Sequence, residues 1–384
     1  MRIAFYAPMK APDHPRPSGD RTMARLLLTA LMRSGHAVEP ACRLSSFDAV
    51  GDSRRQQRLA VVGGKLTERL ARRWRQRPAR DRPDLWFTYH LFHKAPDWLG
   101  PRVSDALGIP YVVAEASHAG KQARGPWAVG HAAAAEAISR ADLIFGLNAD
   151  DSEGIRPLLA DPARLLALPP FIDTRAYAAT AAAGDAHRHA VRERHGIGAD
   201  EPVLLTVAMM RAGDKLASYR LMGKALAPLR DRRWRLLIAG DGPARADVRQ
   251  ALAGSAGRIV WLGHVDEAEL PAVYASADLY VWPAIGEAWG MSLLEAQAAG
   301  LPVIVGRSGG IPDIVADGGT GILVQAGDAR GLALVTATLL DDEPRRRMMA
   351  SAAQTRMRAR HDIGMASGMM AAALRRLIRT RRCA

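Results

Sequence analysis

Short apolar runs alternate with longer segments whose apolar residues recur at helical spacing, and this rhythm occurs twice along the chain. A strand that is apolar along its whole length has both faces covered, and the crossover helices supply that cover. The pattern therefore predicts an α/β fold with parallel sheets. In the first half the strand candidates are Ile3–Ala7, Leu85–Tyr89, Tyr111–Ala114, Leu143–Gly146 and Leu165–Leu168. A helix is expected from about Asp20 to Ser34, with Leu26, Leu27, Ala30 and Leu31 on one face and Gly35 just past its end. Near Pro169-Pro170 the rhythm stops, and the Ala-, Gly- and His-containing stretch Ala178–His189 reads as a linker or short bridging helix. It then restarts with Val203–Ala208, Arg235–Ala239, Ile259–Leu262, Leu279–Val281, Pro302–Val305 and Gly321–Val324. The expected division is residues 1–175, 176–360 and a helix-like 361–384.

A chain of 384 residues suits two domains. Its 48% hydrophobic and 24% charged residues exclude disorder, because two cores can offset the entropy of ordering. No apolar run approaches the roughly 18 residues of a spanning helix, and Met1-Arg2 leads straight into a strand, so a cytoplasmic protein without a signal peptide is expected. Cys42 and Cys383 are the two cysteines, without CxxC or Cys/His spacing, which excludes a disulfide framework and a structural zinc site. A net charge of +14 favours an anionic partner. Nucleic acid fits poorly: aromatics are 5%, and no recognition helix or strand with stacking aromatics is visible.

Three strand exits in the second half carry glycines. Ala239-Gly240-Asp241-Gly242-Pro243 opens a helix, where backbone N–H groups could face a ligand or simply turn the chain. Gly263-His264-Val265 is a second exit, where a flat base could lie on exposed backbone. The third, EAWGMSLLEAQAAGLPVI from Glu287 to Ile304, joins a strand to a helix expected to begin near Met291. The first amides of that helix lack internal partners and suit a phosphate or sugar oxygen. Glu287 and Glu295 flank its start. A single carboxylate there could be a dipole partner worth ~0.3–1 kcal/mol. As a glycosidase pair they are badly spaced, since eight residues at ~1.5 Å rise give ~12 Å, beyond the ~5–9.5 Å that hydrolases use. They read instead as two acceptors along one ligand.

This stretch resembles the E-x7-E element of the retaining family 4 glycosyltransferases. The resemblance runs over nearly the whole chain, through GHAVE, ADLIFGLN, LPPFIDTRAY, AGDGP, RIVWLGHV, Val273–Pro283 and SGGIPDIVADGGTGILV in the family's order. It implies the GT-B fold: two Rossmann-like domains with parallel sheets facing across a cleft, and a C-terminal helix crossing back to the first. It implies that Glu295 accepts from nucleotide ribose hydroxyls and Glu287 holds the donor sugar. By the same resemblance, Gly290, Met291 and Ser292 meet the sugar and distal phosphate, and Arg211 with Lys215 neutralises the diphosphate. Gly263, His264 and Val265 fall with the base. In the first half, Gly19 matches one of two glycines that usually approach the diphosphate, and His118 matches a histidine near donor sugar and acceptor. The chain departs from the pattern at Leu216, where a glycine usually follows the lysine, at Pro170-Phe171-Ile172-Asp173, and at Asp313 in place of glutamate.

The expected activity is therefore retaining transfer from a nucleotide-sugar donor to a carbohydrate or lipid-linked acceptor. The resemblance implies no metal cofactor, and no DxD-like pair follows a strand in the second half; Asp150-Asp151 is expected to cap a helix. An epimerase or a disaccharide phosphorylase or synthase would share the fold. One segment stands apart. Eleven basic residues lie between Arg54 and Arg82 against only Glu68 and Asp81, a net +9. Leu59, Val62, Leu66 and Leu70 make one face apolar, and Trp74 extends it. Such a helix either docks on its domain or lies on an anionic membrane, with Trp74 at the interface.

Overall fold

In the computed structural model, which describes residues 1–16, 18–183 and 185–383, the chain forms two compact units. One comprises residues 1–170 with the helix Ile363–Cys383, and the other Phe171–Asp362. The divides thus fall at 170 and 362, where 175 and 360 were expected.

The first unit holds a six-stranded parallel sheet: β1 (Arg2–Tyr6), β2 (Ala37–Pro40), β3 (Leu85–Leu91), β4 (Tyr111–Ala116), β5 (Leu143–Gly146) and β6 (Leu165–Ala167), in the order β2-β1-β3-β4-β5-β6. Its core packs Trp86 against Tyr6 and Trp74, with ring centroids 5.8 and 6.2 Å apart. The edge strand β2 was not expected. It is four residues of half-exposed AVEP, and that carries neither the all-apolar run of an inner strand nor a polar alternation. The helix Ile363–Cys383 closes this unit: the Ser34 hydroxyl donates to the Ser367 carbonyl at 2.9 Å, and Arg381 pairs with Asp142 at 3.1 Å.

The second unit holds β7 (Val203–Val207), β8 (Arg235–Ala239), β9 (Ile259–Gly263), β10 (Leu279–Trp282), β11 (Val303–Arg307) and β12 (Gly321–Gln325), ordered β12-β11-β10-β7-β8-β9, again all parallel. In each sheet the chain first builds outward on one side and then returns to build on the other. The reversal lies between β1 and β3 in one unit and between β7 and β10 in the other. A crevice opens at the carboxyl ends of strands at such a reversal, where loops diverge.

The stretch Ala178–His189, expected as a linker or short bridging helix, is mostly helical, in Arg175–Ala182 and Asp185–Arg194, as its alanine content favours. Pro17, placed by the sequence in the loop before the first helix, lies outside the described residues, as does Gly184. Asn148, not the Asp150-Asp151 pair, caps the helix Ala149–Ile155: its side chain accepts from the Asp151 amide at 2.8 Å.

The basic segment is a helix, Ser53–Arg75, docked through a face that takes only Leu70 fully from the expected apolar stripe; Leu59 and Leu66 are half-buried and Val62 is exposed. Gln56, Gly63, Thr67, Leu70, Ala71 and Trp74 are buried, and a Cβ on Gly63 would sit 2.6 Å from Trp98 Cβ. Trp74, expected as an interfacial side chain, is instead core, its indole donating to Glu39 at 3.0 Å. The arginines at 54, 55, 58, 69, 72, 73 and 75 remain outside. No helix among the described residues is long and apolar enough to cross a membrane.

Candidate functional site

The second unit places its chemistry at the β7/β10 reversal. After β10 the chain runs through Pro283–Gly290, with Ala284 at φ 56°, Gly286 at 64° and Gly290 at 76°, before the helix Met291–Ala298. Left-handed backbone at a non-glycine residue is costly, and surrounding contacts must hold it. Beside Ala284, Ile285 N–H donates to the Ser218 hydroxyl at 3.0 Å, and Glu287 N–H to the Ala284 carbonyl at 3.3 Å; the Gly309-Gly310 turn backs the loop further on. Gly310 N–H donates to the Ala288 carbonyl at 2.5 Å, and a Cβ on Gly309 would lie 2.5 Å from the Glu287 carbonyl.

That loop delivers Glu287 to Trp282 and Lys215. The Trp282 indole donates to Glu287 Oε1 at 3.0 Å, and Lys215 forms an ion pair with the same oxygen. The Lys215 ammonium also lies 5.3 Å from the Trp282 ring centroid, within cation–π range. Lys215 sits in the first turn of the helix Asp214–Leu226, which follows β7. Arg211, on the loop between, is exposed and has no salt bridge among the described residues. The two residues assigned separately to sugar and diphosphate therefore touch each other in this structure, whereas the two expected cations differ in setting.

Glu295 lies one turn into the helix Met291–Ala298. The Tyr274 hydroxyl donates to its Oε2 at 2.8 Å, and Tyr177 bonds it as well. Burial pushes the carboxyl up from its ordinary value, while the two hydroxyls oppose that shift. Two phenols on one carboxylate fix its direction and leave lone pairs for a ligand. At the head of the helix, Gly290 and Met291 offer backbone amides. The Tyr280 hydroxyl donates to the Val207 carbonyl at 3.2 Å and accepts from the Ser292 hydroxyl at 2.8 Å. The supporting aromatics Trp282, Tyr274, Tyr177 and Tyr280 were missed. They read in sequence as ordinary core residues, and Tyr177 lies just before the stretch Ala178–His189.

Gly240 and Gly242 have a local reason. Their missing Cβ atoms would meet the Ala208 and Met210 carbonyls at 1.9 and 2.2 Å, so Gly-Asp-Gly backs the loop after β7. Met210 N–H donates to the Asp241 carbonyl at 2.9 Å. Gly263 ends β9 at φ 69° and its carbonyl accepts from Gly240 N–H at 2.7 Å; His264 beyond it is exposed and Val265 half-buried.

In the first unit, Gly19 begins the helix Gly19–Arg33, capped by Ser18, whose hydroxyl accepts from Arg21 N–H at 3.2 Å and Lys10 at 2.9 Å. His118 follows β4. Its ring stacks on His131, centroids 4.2 Å apart, and burial and that neighbour lower its pKa, so it is neutral at pH 7. Its Nε2 is buried without a partner. No three or more His, Cys, Asp or Glu among the described residues are grouped so as to hold a metal ion.

Two parallel Rossmann-like sheets, each with loops gathered at its reversal, define the GT-B class. Over 97% of its length the chain superposes on 99% of HepE from Anabaena, a structure determined in complex with UDP (TM-score 0.75, 17% identity). It also matches sucrose-phosphate synthase of Thermosynechococcus elongatus, covering 99% of both chains (TM-score 0.72, 19% identity). Residues 201–342 match the model of the family Glycosyl transferases group 1. Sequence relatives include the D-inositol 3-phosphate glycosyltransferase of Corynebacterium glutamicum, 34% identical over 49% of this chain and 46% of that one. Another is the GDP-mannose-dependent alpha-(1-6)-phosphatidylinositol monomannoside mannosyltransferase of Mycolicibacterium smegmatis, 35% identical over 47% of each. The aligned region spans about half the length of these relatives, or less.

Proposed function

We propose that the chain is a retaining glycosyltransferase that moves a sugar from a nucleoside-diphosphate donor to a carbohydrate or lipid-linked acceptor. The observation that carries this reading is the constellation at the β7/β10 reversal: Glu287 and Lys215 paired on Trp282, with Glu295 clamped by two tyrosines one turn into the next helix. Glu295 takes the ribose hydroxyls and Glu287 the sugar hydroxyls. The amides at Gly290, Met291 and Ser292 face the sugar and distal phosphate, while the Gly263–Val265 turn lies by the base. Gly19 supplies backbone and His118 a neutral imidazole from the first unit. Departure of a nucleoside diphosphate develops negative charge, and fixed cations stabilise that more than the ground state. Lys215 and Arg211 fill that role without a resident metal. The leaving phosphate takes the acceptor proton, so no protein nucleophile is needed.

Calorimetric titration with UDP, GDP and ADP tests the donor side. At least one nucleotide should bind, and Glu295→Gln should weaken it by about tenfold or more, because a charged acceptor bonds two hydroxyls better than an amide does. Equal affinity for wild type and variant would remove Glu295 from the site.

We further propose that the enzyme works in the cytoplasm and associates reversibly with anionic lipid through the outer face of Ser53–Arg75. With Leu70 and Trp74 docked in the core, the outer face of the helix contributes attraction of ~1 kcal/mol per basic residue near the surface. Co-sedimentation should show binding to anionic vesicles at low salt, none to neutral vesicles, and loss on changing Arg69, Arg72, Arg73 and Arg75 to Gln. Recovery of wild type in the supernatant with both lipids would leave these charges as solvated surface.

A further inference from the structure

The first unit has its own reversal, between β1 and β3, and a second polar cluster gathers there. Asp20 stands in the first turn of the helix after β1, His90 is next to last in β3, and Glu115 is next to last in β4. Tyr89 pairs with Ala114 and Leu91 with Ala116, so His90 and Glu115 are cross-strand neighbours. His90 Nδ1 and Asp20 Oδ1 are 3.1 Å apart. Among the described residues only three non-glycines have positive φ: Ala284 at the donor-side reversal, and His90 and Glu115, at 59° and 60°. Backbone held in that region at two adjacent strand ends is strain that the fold maintains, and such strain gathers at functional sites.

Electrostatically the cluster is poised for a polar ligand. Burial works against a charged His90, but Glu115, Asp20 and Asp151 outweigh it and raise its pKa to about 9. At neutral pH it is an imidazolium. For Asp20, burial is outweighed by the hydrogen bond and charge of His90 and by Lys10, and its pKa is lowered. Glu115 is 7% exposed, and burial pushes its carboxyl up, opposed by the charge of His90 and a hydrogen bond from Tyr89; its Oε2 has no partner. A buried carboxylate oxygen left unbonded is costly and rare. The side chains of His90 and Asp20, 18% and 28% exposed, keep the edge of the cluster open to solvent. The donor-side reading uses none of these three residues.

We propose that Glu115, with Asp20 and His90, forms a binding site for vicinal hydroxyl groups of a sugar or cyclitol. The unpartnered Oε2 of Glu115 and the carboxylate of Asp20 accept from hydroxyls, and the imidazolium donates to a hydroxyl oxygen. Placed at the β1/β3 reversal, this is the acceptor side of the transferase proposed above, and as an acceptor site it rests on that reading. Its binding chemistry does not need a donor.

The test is ligand-observed saturation-transfer NMR on the full chain without nucleotide, using myo-inositol, methyl α-D-glucopyranoside and methyl α-D-mannopyranoside. Wild type should bind at least one of them, and Glu115→Gln should weaken that binding by about tenfold or more, since charge-assisted bonds to hydroxyls are lost. Asp20→Asn, at the open edge of the cluster, should weaken it too and serves should the Glu115 variant fold poorly. UDP and GDP titrations run in parallel should give the same affinity for wild type and for Glu115→Gln. Absence of binding by all three polyols, or equal polyol binding by wild type and both variants, overturns the site. Nucleotide binding in that case would leave the donor-side reading standing. Polyol binding without nucleotide binding would do the reverse.

Discussion

Replacing Lys215 with alanine is expected to lower kcat/KM for the donor by at least about a hundredfold, the scale on which a fixed charge acts on a leaving group in a desolvated site. Two losses coincide. The ammonium that stabilises the departing diphosphate is removed, and Glu287 keeps only the Trp282 N–H on its Oε1. A mostly buried carboxylate without its cation disturbs the side that holds the sugar as well. Arg211→Ala should cost less, because the guanidinium is exposed and screened by solvent. Steady-state kinetics with whichever UDP-, GDP- or ADP-sugar proves to be the donor decide this. Turnover and KM unchanged in Lys215→Ala would exclude the lysine from the reaction.

Arg192→Ala should destabilise the second unit by about 3–5 kcal/mol, the usual cost of breaking a buried ion pair. Arg192 is 2% exposed and sits where β7 and β10 begin, at the end of the sheet away from the site. Its guanidinium donates to Asp278 at 2.9 Å and to the carbonyls of Ser276, Gly198, Ala199 and Glu201 at 3.2, 3.1, 2.7 and 3.1 Å. Asp278 in turn accepts from Val203 N–H at 2.7 Å and from Arg188 at 2.6 Å. Alanine leaves buried carbonyls unpaired, and lysine cannot span them because it lacks the planar five-donor fork. Urea unfolding followed by circular dichroism should show a lower midpoint for both variants. A midpoint within error of wild type for Arg192→Ala would show that solvent fills the gap without cost.

Arg192 also shows where sequence reading stops. In VRERHGI it looks like one more solvated arginine of a basic chain, and only the return of Asp278 from 86 residues away makes it structural. Trp74 failed in the same way: its helical spacing was legible, but whether the apolar face met lipid or core was not. The glycines of AGDGP could have served a ligand or a local turn, and the carbonyls of Ala208 and Met210 supply the local reason for them. The β3 and β4 ends, where His90 and Glu115 turn left-handed, carry no glycine or asparagine to signal it.

What the sequence determined by itself is local or periodic. The all-apolar runs dictate inner strands of parallel sheets, because such strands are stable only when covered on both faces. The same rhythm, interrupted once, dictates two units, and the spacing of Glu287 and Glu295 around Gly290 puts two carboxylates at one helix head. Partnership was decided by tertiary structure alone: Glu287 with Lys215, 72 residues apart, Glu295 with Tyr274 and Tyr177, and Glu115 with His90 and Asp20. Hydrophobic periodicity repeats along the chain and can be read from it. A buried carboxylate's partner arrives from whichever strand end lies beside it, and the order of strands in the sheet sets that neighbour.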